Sequence, residues 1–190
     1  EIINGKEEAR IVYSNHIECM ADRKGAYVYV DVGGGSTEVN FLTDGCLQSS
    51  SSYNIGTVRY LTGQVRDDEW LRLEEDMQHI VQGLDHINII GSGGNINKLY
   101  RMAEVKDKEP ISSLRQVYEQ LKPLSVEERI EQFALKEDRA DVIIPAAEIF
   151  LRIASIVRAE YVHVPVIGLA DGIIDDLYAQ RETRIPQKLG

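Results

Sequence analysis

Residues Tyr27 to Leu42 limit the fold more tightly than any other stretch of the chain. A β-branched and aromatic run stands on either side of three glycines, the composition of two strands joined by a tight turn. Asp31 lies at the end of the first strand and Glu38 near the start of the second. Consecutive glycines let a backbone turn sharply and come close to a ligand. The N–H groups of Gly33, Gly34 and Gly35, with the donors of Ser36 and Thr37, suit an anion-binding concavity. Two carboxylates beside such a nest make chemical sense when a divalent cation bridges them to a phosphate. A turn that only reverses the chain needs none of these groups, so the expectation is a phosphate loop with a metal.

The flanking pattern extends this core in both directions. Upstream, Asn4 to Glu7 reads as a helix start of capping-box type, and Ala9, Val12 and Tyr13 share an apolar face with Glu8 close by. Downstream, Asp44-Gly45 is a two-residue hairpin signal leading to a third strand around Leu47–Tyr53. Gln48 and the serines at 49–52 make a poor apolar core, so that strand is expected at an edge or along a cleft. A short helix follows from Ile55, then an amphipathic helix over 67–83 with Trp70, Leu73, Met77 and Ile80 or Val81 as its buried stripe. A strand at 86–90 runs into Gly91-Ser92-Gly93-Gly94-Asn95 and a helix from Ile96, a second candidate anion site at a helix N-terminus. Residues 104–110 read as a charged loop. Helices are expected at 113–121, 125–134 and 141–158, a strand at 161–167 and a last helix at 170–181. The predicted class is α/β with a mixed sheet in a single domain, 1–181, and a loose tail, 182–190.

Composition removes several function classes. The chain has 190 residues and a net charge of −10, which argues against a nucleic-acid partner. No apolar run is long enough to span a bilayer and no signal peptide is recognisable, so no membrane partner is expected. Cys19 and Cys46 match no metal-ligand spacing, which makes a reducing cytoplasm the default. His16, His79, His86 and His163 are dispersed and read as structural. Arg139 and Asp141 read as a structural ion pair, and Arg59 as either a substrate contact or a structural cap or ion pair. The chain starts at Glu1 with a helix almost at once, as a piece of a longer protein would.

Several of these segments together resemble the exopolyphosphatase/guanosine pentaphosphate phosphohydrolase (Ppx/GppA) family. Residues 2–10, I-I-N-G-K-E-E-A-R, are similar to that family's glutamate-bearing helix. Residues 31–38, D-V-G-G-G-S-T-E, match its second phosphate motif almost letter for letter. G-T-V-R at 56–59, G-S-G-G at 91–94 and R-A-D-V-I-I-P at 139–145 follow in the family's order and spacing. The resemblance covers about residues 1–180. It implies an actin-like fold of two ribonuclease-H-like domains, of which this chain is the second, with the missing first domain as partner, the site in the cleft between them, and room for a homodimer. It implies Glu8 as catalytic base, Asp31 and Glu38 as the carboxylates that handle Mg²⁺ and the attacking water, and polyphosphate or guanosine pentaphosphate as substrate. Glycines 33 to 35, Ser36, Thr37, Ser92, Gly93 and Gly94 are then the phosphate binders, with Arg59 and Asn95 as further substrate contacts.

Two departures stand out. Ala170-Asp171 replaces the family's usual Arg-Glu pair, and Asn95 stands where a hydroxyl residue is usual. Two other functions share the glycine loops: the ATP-binding half of an actin-like kinase, and a non-catalytic module that binds phosphate or guanosine tetraphosphate. Glu8 in its helix favours water over another acceptor. With only half of the site, the isolated chain is expected to be nearly inactive.

Overall fold

The computed structural model describes residues 25–84, 87–103 and 108–165, with the side chains of Lys108 and Glu109 excepted. All of these but Pro165 belong to one compact unit, Lys24–Val164. The helix expected at 4–16, with Glu8, and the helix expected at 170–181, with Ala170 and Asp171, lie outside the described residues.

Three antiparallel strands come first: β1 (Ala26–Val32), β2 (Thr37–Thr43) and β3 (Cys46–Tyr53). The β2–β3 turn is the expected two-residue one. Asp44 and Gly45 both take positive φ, 51° and 71°, the backbone of a hairpin turn that matches strand twist. β4 (Ile87–Ser92) then pairs parallel to β1, β6 (Tyr161–His163) parallel to β4, and β5 (Lys108–Pro110) antiparallel to β6. The sheet runs β3-β2-β1-β4-β6-β5. β3 sits at an edge and is exposed over most of its length, as its serines require. β5 falls within the stretch expected to be loop. It forms through backbone pairing at the other edge, where Pro110 is tolerated.

One face of β1 carries Val28, Val30 and Val32 into the main hydrophobic core. Above that core lies α7 (Ile143–Val157), buried at Ile149, Phe150, Ile153 and Val157 among others. A helix apolar on nearly all sides must be surrounded. α7 packs against β1 and against α1 (Thr57–Leu61), α2 (Asp67–Val81), α3 (Gly94–Met102), α4 (Ile111–Leu121) and α6 (Glu137–Ala140). Pro145 occupies its first turn, where a backbone N–H has no helical partner in any case. α2 buries Trp70, Leu73 and Met77, one turn or two apart. The Arg152 guanidinium lies 4.1 Å over the Trp70 ring and pairs with Glu74, joining α2 to α7. α5 (Val126–Phe133) starts in a full capping box between Ser125 and Glu128.

The other face of β1 carries Tyr27, Tyr29 and Asp31. Tyr27 and Tyr29 are buried, and so are Asn40 and Leu42 of β2. The two carboxylates therefore stand at the end of a covered face, and the glycine turn projects beyond it.

Candidate functional site

Strand register builds the site. Ser52 of β3 pairs with Glu38, Glu38 with Asp31, and Asp31 with Ser92. Four strands thus place one polar residue each in a row at one end of the sheet. Adjacent strands lie about 4.8 Å apart, so Asp31 and Glu38 are neighbours across a single strand gap.

Glu38 is held by hydroxyls. Ser36 Oγ and Ser52 Oγ both donate to Glu38 Oε1, each at 2.9 Å. The second carboxylate oxygen takes neither bond. Ser52 is a member of the site that motif reading passes over, because its partner is fourteen residues away. Strand alternation points to it once the β2–β3 register is known. Tyr29, two residues before Asp31 on the same face, is a second such member. Burial pushes its phenol well above the ordinary range. A hydrogen bond with Ser92 works the other way, and the Asp31 charge adds to the rise.

The glycine loop is fixed through its carbonyls. Gly33 O accepts from Thr57 N at 2.9 Å, Gly34 O from Val58 N at 3.0 Å, and Gly35 O from Arg59 Nε at 2.7 Å. The loop therefore caps the N-terminus of α1. Gly56 makes this approach possible, since a Cβ there would lie 2.3 Å from Gly34 O. Arg59 is thereby tied to the loop through its Nε.

The donors that remain are fewer than the sequence suggests. Gly33 N–H bonds to Ser36 O at 2.9 Å. The Thr37 side chain is fully buried, and its hydroxyl donates to the Ile55 carbonyl. No acceptor among the described residues takes the N–H groups of Gly34, Gly35 and Ser36, and these lie in the accessible turn.

The second loop closes on the same carboxylate. Gly93 has φ +104°, and a Cβ on it would meet Asp31 Oδ1 at 3.2 Å. Only glycine adopts that backbone without strain and leaves the carboxylate its space. Gly93 then caps α3, whose first turn has no side-chain cap and no acidic residue. Asn95 sits in that open first turn. Gly91 has a packing role, as a Cβ there would lie 2.8 Å from Ile96.

The expected ion pair between Arg139 and Asp141 is not formed. The Arg139 guanidinium runs instead to Gly94, where a Cβ would lie 2.4 Å from its Nη1. Asp141 Oδ1 is buried without a hydrogen-bond partner.

The donor set suits Mg²⁺. This ion takes one or two carboxylates and completes its shell with waters and substrate phosphate oxygens, and Asp31 and Glu38 offer two carboxylates beside three open N–H groups. Among the described residues no group of three or more His, Cys, Asp or Glu forms a closed metal cage. Among them, too, no helix is long and apolar enough to cross a membrane.

Comparison with known proteins shows the family and the fold. The model of the Ppx/GppA phosphatase family matches residues 1–181. An Aquifex aeolicus Ppx/GppA phosphatase superposes with a TM-score of 0.73 at 25% identity, over 93% of this chain and 64% of that one. An exopolyphosphatase from Cytophaga hutchinsonii superposes with a TM-score of 0.76 at 18% identity, over 95% of this chain and 65% of that one. The chain thus spans about 64–65% of these solved relatives. The fold class is the actin-like α/β fold of those proteins. A search of curated protein sequences finds no match.

Proposed function

This chain belongs to the Ppx/GppA phosphatase family, and on that premise we propose that it supplies half of a phosphoanhydride hydrolase site. The substrate is inorganic polyphosphate or guanosine pentaphosphate, and the reaction releases the terminal phosphate to water. The observation that carries the reading is the row Ser52–Glu38–Asp31–Ser92 beside the carbonyl-anchored glycine loop.

Phosphoryl transfer is mainly a matter of in-line positioning and of neutralising charge on the transferred group. The N–H groups of Gly34, Gly35 and Ser36 donate to equatorial oxygens of that group, in a loop that does not have to reorganise. The open first turn of α3, from Gly94, takes a second phosphate oxygen. Asp31 and Glu38 would hold Mg²⁺, which when bound supplies Lewis-acid charge neutralisation. The Ser36 and Ser52 hydroxyls fix Glu38 in one rotamer, so that its second oxygen is the one presented. Glu8 acts as the base that takes the proton from the attacking water. The residues that face this half-site come from a first domain of the same protein, and without them the chain alone is nearly inactive.

The test is phosphate release by the full-length protein with Mg²⁺, on polyphosphate and on guanosine pentaphosphate. Wild type is compared with Glu8→Ala and Asp31→Asn. Turnover lost in both variants, with the fold intact by circular dichroism, supports the assignment, and the preferred substrate names the activity. Wild-type protein that releases no phosphate from either substrate sinks it.

A further inference from the structure

The register of β3 is ambiguous in its own residues. Ser49, Ser50, Ser51 and Ser52 are chemically identical, and the strand lies at the sheet edge, exposed over most of its length. Register is strongly specified where a buried apolar face has to match and weakly where a strand is polar on both faces. A slip of one residue would set Ser51 opposite Glu38, with the same hydroxyl chemistry. The pairing with β2 already carries a shift between Phe41 and Leu42. The serine that reaches Glu38 is therefore selected by something outside the serine run.

The selection is made at the end of the strand, by α2. Glu69, Arg72 and Asp76 are three and four residues apart and so share one face of that helix. They meet three successive residues of the chain. Arg72 Nη2 donates to Ser52 O at 2.7 Å. The Tyr53 phenol donates to Asp76 Oδ2 at 2.8 Å, and the Arg72 guanidinium stands 4.4 Å over the Tyr53 ring. Asn54 N donates to Glu69 Oε2 at 2.8 Å. Arg72 Nη2 also donates to Glu69 Oε2 at 2.8 Å, which closes the clip on itself.

Each contact is tied to one position in the strand. Tyr53 is fully buried, and a one-residue slip would turn it to the other face and away from Asp76. The same slip would carry Ser52 O away from Arg72 and Asn54 N away from Glu69. Arg72 is the centre of the clip, because it alone touches the strand backbone, the tyrosine ring and a second clip residue. Its bond to Glu69, with that of the Asn54 N–H, holds the Glu69 carboxyl below the usual carboxylate range. On the site side, Ser52 Oγ donates to Glu38 Oε1 at 2.9 Å.

We propose that Arg72 is a positioning residue of the candidate site: it holds the end of β3 in the register that brings the Ser52 hydroxyl, and not that of Ser51, to Glu38. The proposal deepens the hydrolase reading and rests on it for the role of Glu38 toward Mg²⁺. Arg72 acts through Ser52, so its removal should be felt at the carboxylate as the loss of one hydroxyl donor.

The test uses the full-length protein with Arg72→Met, Arg72→Lys, Ser52→Ala and the double variant Arg72→Met/Ser52→Ala. Arg152→Met is the control, since Arg152 is 44% exposed as Arg72 is, pairs with Glu74 of the same helix and lies over an aromatic ring, that of Trp70. Mn²⁺ binding is followed by electron paramagnetic resonance, and kcat and KM are measured with Mg²⁺ on polyphosphate and on guanosine pentaphosphate. Arg72→Met should weaken Mn²⁺ binding and lower kcat about 3- to 10-fold, close to the effect of Ser52→Ala, with KM little changed. Arg72→Lys keeps a donor for Ser52 O and should recover part of both. The double variant should be no worse than Ser52→Ala alone, the non-additivity expected when one residue acts through the other. Arg152→Met should lower Tm and leave Mn²⁺ affinity and kcat unchanged. Arg72→Met and Ser52→Ala effects that multiply, an Arg72→Met protein that binds Mn²⁺ like wild type, or an equal effect of Arg152→Met overturns the positioning role while the hydrolase reading stands. Wild-type protein that releases no phosphate removes the hydrolase reading, and the Mn²⁺ affinities of the four variants then decide the role of Arg72 by themselves. Wild-type protein that binds no Mn²⁺ removes that role.

Discussion

Two loops meet at the end of this sheet, and they differ in sign. On the β1–β2 side the loop offers two carboxylates set by register, and Glu38 is held by two neighbouring hydroxyls as well. On the α3 side the wall is cationic: Lys98, Arg101, Lys136 and Arg139 line it, and none of them forms an ion pair among the described residues. Both sides handle phosphate in this reading, but in separate ways. Carboxylates near a polyanion are useful only with a cation between them. Guanidinium and ammonium groups attract the same polyanion directly. In the proposed function the acidic side takes the chemical step, and Gly93 and Gly94 lie between the two sides, one against Asp31 and the other against Arg139.

Substitutions can break that division at four points. The largest effect is expected from Asp31→Asn, which keeps the shape and removes a charge. Turnover by the full-length protein should fall roughly 100- to 10,000-fold with tripolyphosphate affinity much less affected. A parallel loss of affinity would mean that the two sides are not separate. Gly93→Ala should damage the acidic side and the fold together, because its φ of +104° and the Asp31 carboxylate both oppose a Cβ. A cost of about 1–3 kcal/mol, read as a lowered Tm, should accompany lost turnover. Ser52→Ala removes one of the two hydroxyls on Glu38. It should reduce kcat by roughly 3- to 10-fold, as expected for one net hydrogen bond, and raise the Mg²⁺ concentration needed for half-maximal activity. Mn²⁺ binding followed by electron paramagnetic resonance should weaken in parallel, and Ser52→Thr should restore both. The smallest effect belongs to Ala134→Gly, at φ 48° just after α5. Relief of the left-handed backbone should change stability by no more than about 1 kcal/mol in denaturant titration, and tripolyphosphate binding should change little.

The acidic side was legible in the sequence and the basic side was not. Two β-branched and aromatic runs put Asp31 at the end of one strand and Glu38 near the start of the next, and three glycines marked the turn between them. The Asp44-Gly45 turn by itself would set Ser51 opposite Glu38, and the register shift between Phe41 and Leu42 brings Ser52 there instead. The cationic wall joins α3 to Lys136 and Arg139, some forty residues further on, and local periodicity carries no signal for such a meeting. Arg139 was assigned to Asp141 by proximity in sequence, yet the fold directs it to Gly94. β5 escaped notice for a related reason: edge pairing through the backbone leaves no side-chain pattern. Thr37 shows a different limit. A hydroxyl beside a glycine loop suggests a ligand contact, but strand alternation turns this one inward to the Ile55 carbonyl.

The glycine loop also divides along its own backbone. Its carbonyls are committed to α1, while the amides of Gly34, Gly35 and Ser36 meet no acceptor among the described residues. In hydrogen–deuterium exchange these three amides should exchange fast, beside slow ones at Thr57 and Val58. An oxyanion seated on them should slow the three and leave the helix amides as they were. A loop of glycines is ordinarily the most mobile part of a chain; here it is held rigid from behind, so that little ordering entropy remains to be lost when a phosphate arrives.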